Sequence, residues 1–333
     1  MAHSWTPQTI EHAVRLGVEI PSLRRAAESF SALTQIPLGK SSLQNLIAEY
    51  GGALVARQAQ EAEAAVQVPT RETTICPRED PVPEAERMSV ALDGVMTNIR
   101  GEGWKEVKLA TFSTVEVTAA EGEGDPEVHL SQHSYRAGLW DAVQFAKQQG
   151  AEGYRRGLEQ VKELIAVSDA AAWIWAIIVQ WYAPCVQIID WWHAVQRVWT
   201  IAGAVYGEGT AETQVWFRTL QALLWAGNVR GLLHALRKKW ARGKEMPDAL
   251  RQAVGYLYRH RQRMRYQEYR QKGYPIGSGS VESACKVVVQ ERLVQAGMRW
   301  SRAGAQAMLA LRCALLSNRW EVTWGSLWAT LVA

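Results

Sequence analysis

Two short apolar runs, each followed directly by an aspartate, constrain the fold of this chain more than any other feature. Residues 88–92 precede Asp93, and residues 164–168 precede Asp169. Runs of this length are typical of buried β-strands, and segments with helical spacing of apolar residues lie between and after them. A meander of strands followed by strands that alternate with helices predicts an α/β sheet.

Other segments complete this pattern. We expect a bent strand or two strands over residues 105–117, and further strands over 128–135 and 186–189. Helices are predicted over 141–150 and 170–182. The sheet would therefore begin as a meander and end in two strands separated by a helix.

A glycine–serine turn at residues 275–280 opens a late helix whose first turn carries Glu282. Three acids, Asp93, Asp169 and Glu282, thus come from separated segments. Carboxylate oxygens suit Mg²⁺, and two ions about 4 Å apart can hold the attacking and leaving oxygens of a phosphoryl transfer. Each acid alone also has an ordinary explanation, because aspartate is common in turns and glutamate is favoured in a first helical turn.

Composition excludes several classes of protein. The chain has 333 residues, 48% of them hydrophobic, which is enough for a large core and two or three domains. We see no run of eighteen apolar residues and no signal peptide, so we expect a cytoplasmic protein without a membrane partner. The four cysteines form no CxxC pair, which argues against a zinc site or a disulfide framework.

Positive charge is concentrated in one part of the chain. The net charge is +4, but residues 194–275 contain fifteen Lys or Arg against five Asp or Glu, a local balance of +10. Such asymmetry indicates an anionic partner, and Lys and Arg contacts to phosphate supply most non-specific affinity for nucleic acid. A solvated helical face would explain the same composition.

Two basic groups in this part of the chain are candidates for DNA contacts. The second group interleaves arginine with tyrosine, a combination that contacts phosphates and stacks on unpaired bases. The members are Arg237, Lys238, Lys239 and Arg242 in the first group and Arg259, Arg261, Arg263 and Arg265 in the second.

The amino-terminal region, residues 1–65, is predicted to be helical, with a break near residues 35–39 that is typical of a helix-turn-helix. Seven basic against nine acidic residues over positions 1–80 favour phosphate binding poorly, so a helical packing or dimerisation domain stays open. Residues 66–86 contain four prolines and are predicted to be a linker.

The order of the motifs resembles that of bacterial insertion-sequence DDE transposases of the ISKra type, which are similar in layout to Mutator and hAT transposases. The resemblance covers about residues 85–325. It rests on Asp93-Gly94, Ser168-Asp169 followed by Trp173-Ile174-Trp175, Asp190-Trp191-Trp192-His193, a long helical stretch, the segment 277–284, and Arg292, Gly297-Met298-Arg299-Trp300-Ser301 and Leu311-Arg312.

The resemblance implies an RNase H-like catalytic core over residues 87–193 and 274–333, interrupted by an all-α basic insertion over 194–273. It implies that Asp93, Asp169 and Glu282 are the catalytic acids and the ligands of two Mg²⁺ ions, with Mn²⁺ as a substitute. DNA contacts are then also expected from Lys286, Arg299 and Trp300.

Asp169 and Asp190 both follow strand-like runs, so the metal ligand has to be chosen between them. In the RNase H-like fold the first and fourth strands lie side by side and parallel, which favours Asp169 as the ligand. Asp190 and His193 match an Asp-x-x-His element that would support the core or touch DNA, while a core histidine stays open for His193. Related proteins often have Asp-Gly-Ala, where this chain has Asp169-Ala170-Ala171, and the lost glycine would restrict the backbone.

The function that this resemblance implies is a DNA transposase, acting on double-stranded DNA in the bacterial cytoplasm as a homodimer or larger assembly. It would cleave transposon ends and join the new 3′-hydroxyl to target DNA. Two alternatives stay open: a transposase-derived DNA-binding protein or repressor without transposition activity, and an RNase H-like nuclease with another substrate.

Overall fold

The computed structural model describes residues 5–66, 86–120, 122, 124–240 and 245–332. A five-stranded mixed sheet with the strand order β3-β2-β1-β4-β5 lies at its centre, so the predicted α/β class is confirmed. β1 pairs with β2, and β2 with β3, in antiparallel fashion, while β4 is parallel to β1 and β5 is parallel to β4. The strands are β1 (Arg87–Ile99), β2 (Gly103–Thr118), β3 (Glu127–Gly138), β4 (Glu163–Ser168) and β5 (Val186–Ile189).

Helices cover both faces of this sheet. A π-helical segment, Cys285–Gln290, joins α11 to α12. The helices are α1 (Pro7–Glu19), α2 (Leu23–Thr34), α3 (Lys40–Val66), α4 (Ala142–Arg155), α5 (Ala172–Tyr182), α6 (Trp191–Tyr206), α7 (Ala211–Trp225), α8 (Val229–Lys239), α9 (Asp248–His260), α10 (Tyr266–Gln271), α11 (Gly279–Ala284), α12 (Glu291–Leu293), α13 (Arg302–Leu316) and α14 (Trp320–Val332). In the described part of the chain, none of these helices combines the length and apolarity needed to cross a membrane.

Of two strand predictions, one is confirmed in one of its two forms and the other needs correction. Residues 105–117 form part of the single strand β2, which pairs with β1 from Gly103 to Thr114 and with β3 from Lys108 to Thr118. The alternative of one strand over this segment is therefore confirmed. The prediction that Asp93 ends a strand is wrong. β1 continues beyond it to Ile99 as a hairpin with β2, and Asp93 pairs with Leu109. Asp169, in contrast, directly follows β4 as predicted.

Alternation along β1 divides the apolar residues between two cores. Met88, Val90 and Leu92 belong to a core that also contains residues of α5, α6 and the helices up to α10. Ala91 and Ile99 point into a second core, which is shared with α1–α3, α13 and α14. Because successive strand residues face opposite sides of a sheet, this one strand anchors both layers.

The amino-terminal helices are therefore packed against the body of the protein. Ile10, Phe30 and Leu43 are fully buried in the second core. α3 makes its most extensive helix contact with α13. The predicted linker, residues 66–86, lies almost entirely outside the described residues.

The helices α7–α10 follow α6 and precede α11, in the place where the all-α insertion was predicted. They are held against the sheet through Tyr266, which is fully buried. Its hydroxyl donates a hydrogen bond to the carbonyl of Ile189, the last residue of β5, at 3.0 Å. The insertion thus reaches the edge strand of the sheet beside Asp190.

Candidate active site

The parallel pairing of β1 with β4 brings Asp93 and Asp169 to the same region of the sheet. Their register ends with Val90 opposite Ala166, and three further residues on each strand lead to the two aspartates. Beyond this point a side-chain hydrogen bond follows the backbone pairing of the two strands: the hydroxyl of Ser168 accepts the amide N–H of Leu92 at 3.0 Å. The predicted adjacency of the first and fourth strands is confirmed.

Asp93 is half-buried and touches the segment that follows Glu282. One carboxylate oxygen accepts the Gly94 amide at 2.7 Å, and the other lies 3.5 Å from the thiol sulfur of Cys285. Burial raises the pKa of Asp93, and the negative charge of Asp169 adds to this rise. The charge of Asp169 is therefore close enough to disfavour the ionised form of Asp93.

Asp169 shapes the turn between β4 and α5. Its Oδ1 accepts the Ala171 amide at 2.9 Å, and its carbonyl accepts the indole N–H of Trp175 at 2.7 Å. Neither Ala170 nor Ala171 is among the described non-glycine residues with positive φ. The turn therefore needs no glycine, and alanine at position 170 does not strain it.

Asp190 is fully buried and accepts four hydrogen bonds. Its Oδ1 accepts the amide and Nδ1 of His193 at 2.8 and 2.9 Å, and its Oδ2 accepts the amide and hydroxyl of Ser278 at 2.6 and 2.9 Å. Burial acts to raise the pKa of Asp190, but these hydrogen bonds outweigh it and lower the pKa. Asp190 is thus the N-cap of α6 and also holds the glycine–serine turn.

Glu282 lies in the first turn of α11, as predicted, and its side chain is exposed. Its Oε1 is 3.0 Å from the hydroxyl of Ser278, the same hydroxyl that contacts Asp190. One hydroxyl carries one proton, so Ser278 can donate to only one of the two carboxylates at a time. The sequence analysis treated Ser278 as a turn residue only, and no local signal distinguishes it from Ser280.

His193 lies among the acids. Its ring is 38% exposed, so the interpretation as a core histidine is wrong. The hydrogen bond to Asp190 raises the pKa of His193, and the charges of Asp169 and Glu282 raise it further. Its own positive charge in turn counteracts the rise in the pKa of Asp93. The imidazole therefore interacts electrostatically with all four acids.

One group in the described part of the chain could hold a metal ion. Asp190, His193 and Glu282 each offer a ligand atom, and these atoms lie within 4.8 Å of one another. Asp190 is the poorest ligand of the three, because four hydrogen bonds already occupy about four lone-pair sites of its carboxylate. The predicted ligands Asp93 and Asp169 are not part of this group of atoms, although their carboxylates, like that of Glu282, offer the oxygen atoms that suit Mg²⁺.

The first basic group lies at the exposed end of α8. Arg237, Lys238 and Lys239 occupy its last turn, where cations are favoured by the helix dipole. Lys239 also lies 5.8 Å from the centre of the Tyr206 ring. Arg242 lies outside the described residues.

The second basic group does not form one surface. Arg259 and Arg265 are exposed, and Arg265 forms an ion pair with Glu268 at 3.1 Å. Arg261 is half-buried, and its guanidinium lies 4.4 Å from the centre of the Tyr258 ring. Not all four arginines therefore face solvent.

Arg263 packs against the body of the protein. Its guanidinium lies 4.1 Å from the centre of a Trp175 ring and donates to the Gln187 side chain at 2.8 Å. These contacts join the end of the insertion to α5 and β5. Arg263 is therefore occupied by packing in this structure, unlike Arg259.

The late candidates also differ among themselves. Lys286 and Arg299 are exposed. Trp300 is half-buried, its backbone forms an isolated bridge with Ile99, and its ring lies 5.0 Å from the guanidinium of Arg292. Trp300 thus connects the β1–β2 hairpin to the segment that precedes α13.

Sequence analysis missed a groove beside His193. Trp192 is 62% exposed and Trp199 is 41% exposed, and together with Phe217 they line an open aromatic depression on α6 and α7. A spacing of seven residues places both tryptophans on one face of α6. That spacing was the signal in the sequence that could have revealed the groove.

No protein-family model matches the chain, and no curated protein matches it either.

Proposed function

We propose that this chain is a DDE-class DNA transposase that cleaves the ends of an insertion sequence and joins the new 3′-hydroxyl to target DNA. Two observations support the proposal: Asp93 contacts Cys285, three residues after Glu282, and Asp169 lies near enough to Asp93 for its charge to raise the pKa of Asp93. The parallel neighbours β1 and β4 are the arrangement that an RNase H-like core requires. The helices α7–α10 lie where the insertion of such a core belongs.

Asp93, Asp169 and Glu282 would hold two Mg²⁺ ions, or Mn²⁺ in their place. When bound, such a pair activates a water or a 3′-hydroxyl and neutralises charge at the phosphate. Glu282 is the exposed member of the set and is accessible to a cation from solvent. The raised pKa of Asp93 fits this role, because a nearby cation would favour its ionised form.

Asp190 and His193 have a different part in this proposal. Asp190 binds the amide and hydroxyl of Ser278, so it sets where α11 begins and where Glu282 projects. His193 keeps its ring in place through Asp190 and holds a proton more readily than an ordinary histidine. A protonated imidazole beside the acids would attract the DNA phosphate to the reacting position.

Exposed cations in several parts of the chain would bind the DNA phosphates. The carboxyl end of α8 offers Arg237, Lys238 and Lys239, and the late helical segments offer Lys286 and Arg299. Such contacts to phosphate position a duplex without reading its sequence. The helices α1–α3 would supply a helix-turn-helix-like contact with the transposon ends, and the active assembly would be a homodimer or larger.

The test is Mn²⁺-dependent cleavage of supercoiled DNA that carries both flanks of the element. We expect Glu282→Gln to keep DNA binding and to lose cleavage by orders of magnitude, because a neutral amide holds a divalent cation much more weakly than a carboxylate does. Glu291→Gln is the matched control, since Glu291 is also exposed on the same helical segment and should retain cleavage. Equal cleavage by wild type and Glu282→Gln would reject the triad.

A transposase-derived DNA-binding protein without cleavage is the second candidate. One observation favours it: of the three proposed ligands, only Glu282 belongs to the group of ligand atoms within 4.8 Å, and Asp93 contacts the Cys285 thiol instead. Tight binding of the flanks, with no nicking in Mg²⁺ or Mn²⁺ by the wild-type chain, would support this second candidate over the first.

A further inference from the structure

An exposed cation, Arg197, lies on α6 close to the candidate active site. It follows His193 by four residues, and residues at this spacing lie on the same face of a helix. Arg197 is therefore on the side of α6 that carries His193 toward the acids. Among the residues that the structure describes, no carboxylate forms an ion pair with Arg197 and no acceptor takes a hydrogen bond from it.

The guanidinium of Arg197 is nevertheless held in place. Its central carbon lies 5.0 Å from the centre of the Tyr256 ring. Tyr256 belongs to α9 of the insertion and is only 8% exposed. The face of an aromatic ring attracts a cation without a hydrogen bond, so the N–H donors of Arg197 stay available for another group.

Tyr256 also lies within electrostatic reach of the acids. Burial raises the pKa of Tyr256, the charge of Arg197 counteracts this rise, and the charges of Asp169 and Asp190 add to it. The hydroxyl of Tyr256 is buried and has no hydrogen-bond partner in the described part of the chain. What Tyr256 offers Arg197 is therefore its ring and not a hydrogen bond.

Two other arginines near an aromatic ring differ from Arg197. Arg263 donates a hydrogen bond to Gln187, and Arg270 forms an ion pair with Asp125. Their donors are thus at least partly occupied within the protein. An exposed guanidinium that is held in place and lacks a counter-charge fits an anion from outside the chain.

We propose that Arg197 binds a backbone phosphate of DNA next to the acids, and that the ring of Tyr256 positions its guanidinium. This inference rests on the proposed function, which makes DNA the substrate of the site. A guanidinium can donate two parallel hydrogen bonds to one phosphate, so the contact would orient the strand as well as neutralise charge. His193 and Arg197 would then contact the DNA from one face of α6.

The salt dependence of DNA binding tests Arg197, with a duplex end and fluorescence anisotropy. Arg197→Gln should flatten the slope of log K against log salt by up to about one, because one phosphate contact is lost. Arg251→Gln is the matched control: Arg251 is exposed on α9 but already pairs with Asp248 at 3.0 Å, so the slope should stay unchanged.

The outcomes separate this inference from the proposed function. If the wild-type chain binds the duplex and Arg197→Gln has the same slope, the inference is overturned and the proposed function stands. If the wild-type chain does not bind DNA at all, both fail.

The positioning role of Tyr256 needs a test of its own. Tyr256→Leu should weaken binding about two- to fivefold, which is the contribution of one exposed cation–π contact. Tyr256→Phe keeps the ring and should restore that affinity. In the Arg197→Gln background, Tyr256→Leu should have no further effect, because the ring acts through the guanidinium. The same weakening in both backgrounds would overturn the positioning role.

A neutral methylphosphonate, placed at one position of the duplex at a time, identifies the phosphate that Arg197 contacts. At one position the replacement should weaken binding by the wild-type chain and leave Arg197→Gln unaffected, because this variant has already lost the contact. If no position distinguishes the two proteins, Arg197 does not bind a phosphate and the proposal is overturned.

Discussion

Asp190 accepts two hydrogen bonds from Ser278, from its amide at 2.6 Å and from its hydroxyl at 2.9 Å. The two residues are 88 positions apart in the chain. This contact joins the start of α6 to the turn that precedes Glu282. It places Asp190 in a structural role and leaves Asp169 as the aspartate with the more accessible carboxylate, since Asp169 is only half-buried.

Replacing Asp190 with asparagine should destabilise the protein. Asparagine keeps one acceptor oxygen and adds an amide that must face the donors of either His193 or Ser278, so two buried donors lose their acceptor. Leaving such groups unpaired should cost about 2–4 kcal/mol in the free energy of unfolding, measured by urea denaturation. Asp141→Asn, at the more exposed N-cap of α4, should cost well under half as much.

The pair Asp169→Asn and Asp190→Asn tests the choice of metal ligand. We expect Asp169→Asn to fold with nearly wild-type stability and to lose Mn²⁺-dependent cleavage by orders of magnitude. Asp190→Asn, assayed at a temperature where it is folded, should lose less cleavage activity. A larger loss for Asp190→Asn than for Asp169→Asn would reverse the assignment.

The salt dependence of DNA binding should separate exposed from packed arginines. Arg259→Gln should flatten the slope of log K against log salt by up to about one, which is the value expected for one lost phosphate contact. Arg263→Gln should leave that slope unchanged and instead lower stability, since Arg263 stacks on Trp175. Fluorescence anisotropy with a duplex end measures both slopes, and a flattened slope for Arg263→Gln alone would contradict the packing role.

The ionisation of Glu152 should make the free energy of unfolding depend on pH. Its pKa is lower in the native state than in the unfolded chain, because the surrounding arginines favour the ionised form. The unfolded state therefore takes up a proton first, and the stabilisation present above the ordinary glutamate pKa is lost as pH falls below it.

The measurement is urea unfolding at neutral pH and near pH 3.5. Wild type should lose more stability over this interval than Glu152→Gln, in which this titration is absent. Glu159→Gln, which alters an exposed glutamate, should behave like wild type. Equal losses in wild type and Glu152→Gln would show that the buried carboxylate does not contribute.

Assembly on DNA is a further expectation of the proposed function, because the proposed strand transfer would act on paired ends. Light scattering of the chain with duplex ends should give at least the mass of a dimer on DNA. An active complex that stays strictly monomeric at all protein concentrations would contradict it.

The sequence by itself determined the positions of several secondary-structure elements and of one candidate acid. Apolar runs located β4 and β5, helical spacing located α4 and α5, and the glycine–serine turn located Glu282 in the first turn of α11. These predictions succeeded because strand alternation, helical periodicity and turn residues act over a few neighbouring positions. The pairing of β1 with β4 came instead from the layout of the resembled family, and the structure has it.

Only the tertiary structure decided what distant segments do to each other. Asp93 lies inside a strand because β2 extends the ladder beyond β4, and Arg263 packs because Trp175 lies beneath it. Asp190 is buried and joins two distant segments because it accepts hydrogen bonds from Ser278, which follows the insertion in the sequence. Such contacts depend on how elements far apart in the sequence pack together. Local sequence propensity does not predict that packing, because each of these side chains is equally compatible with an exposed position.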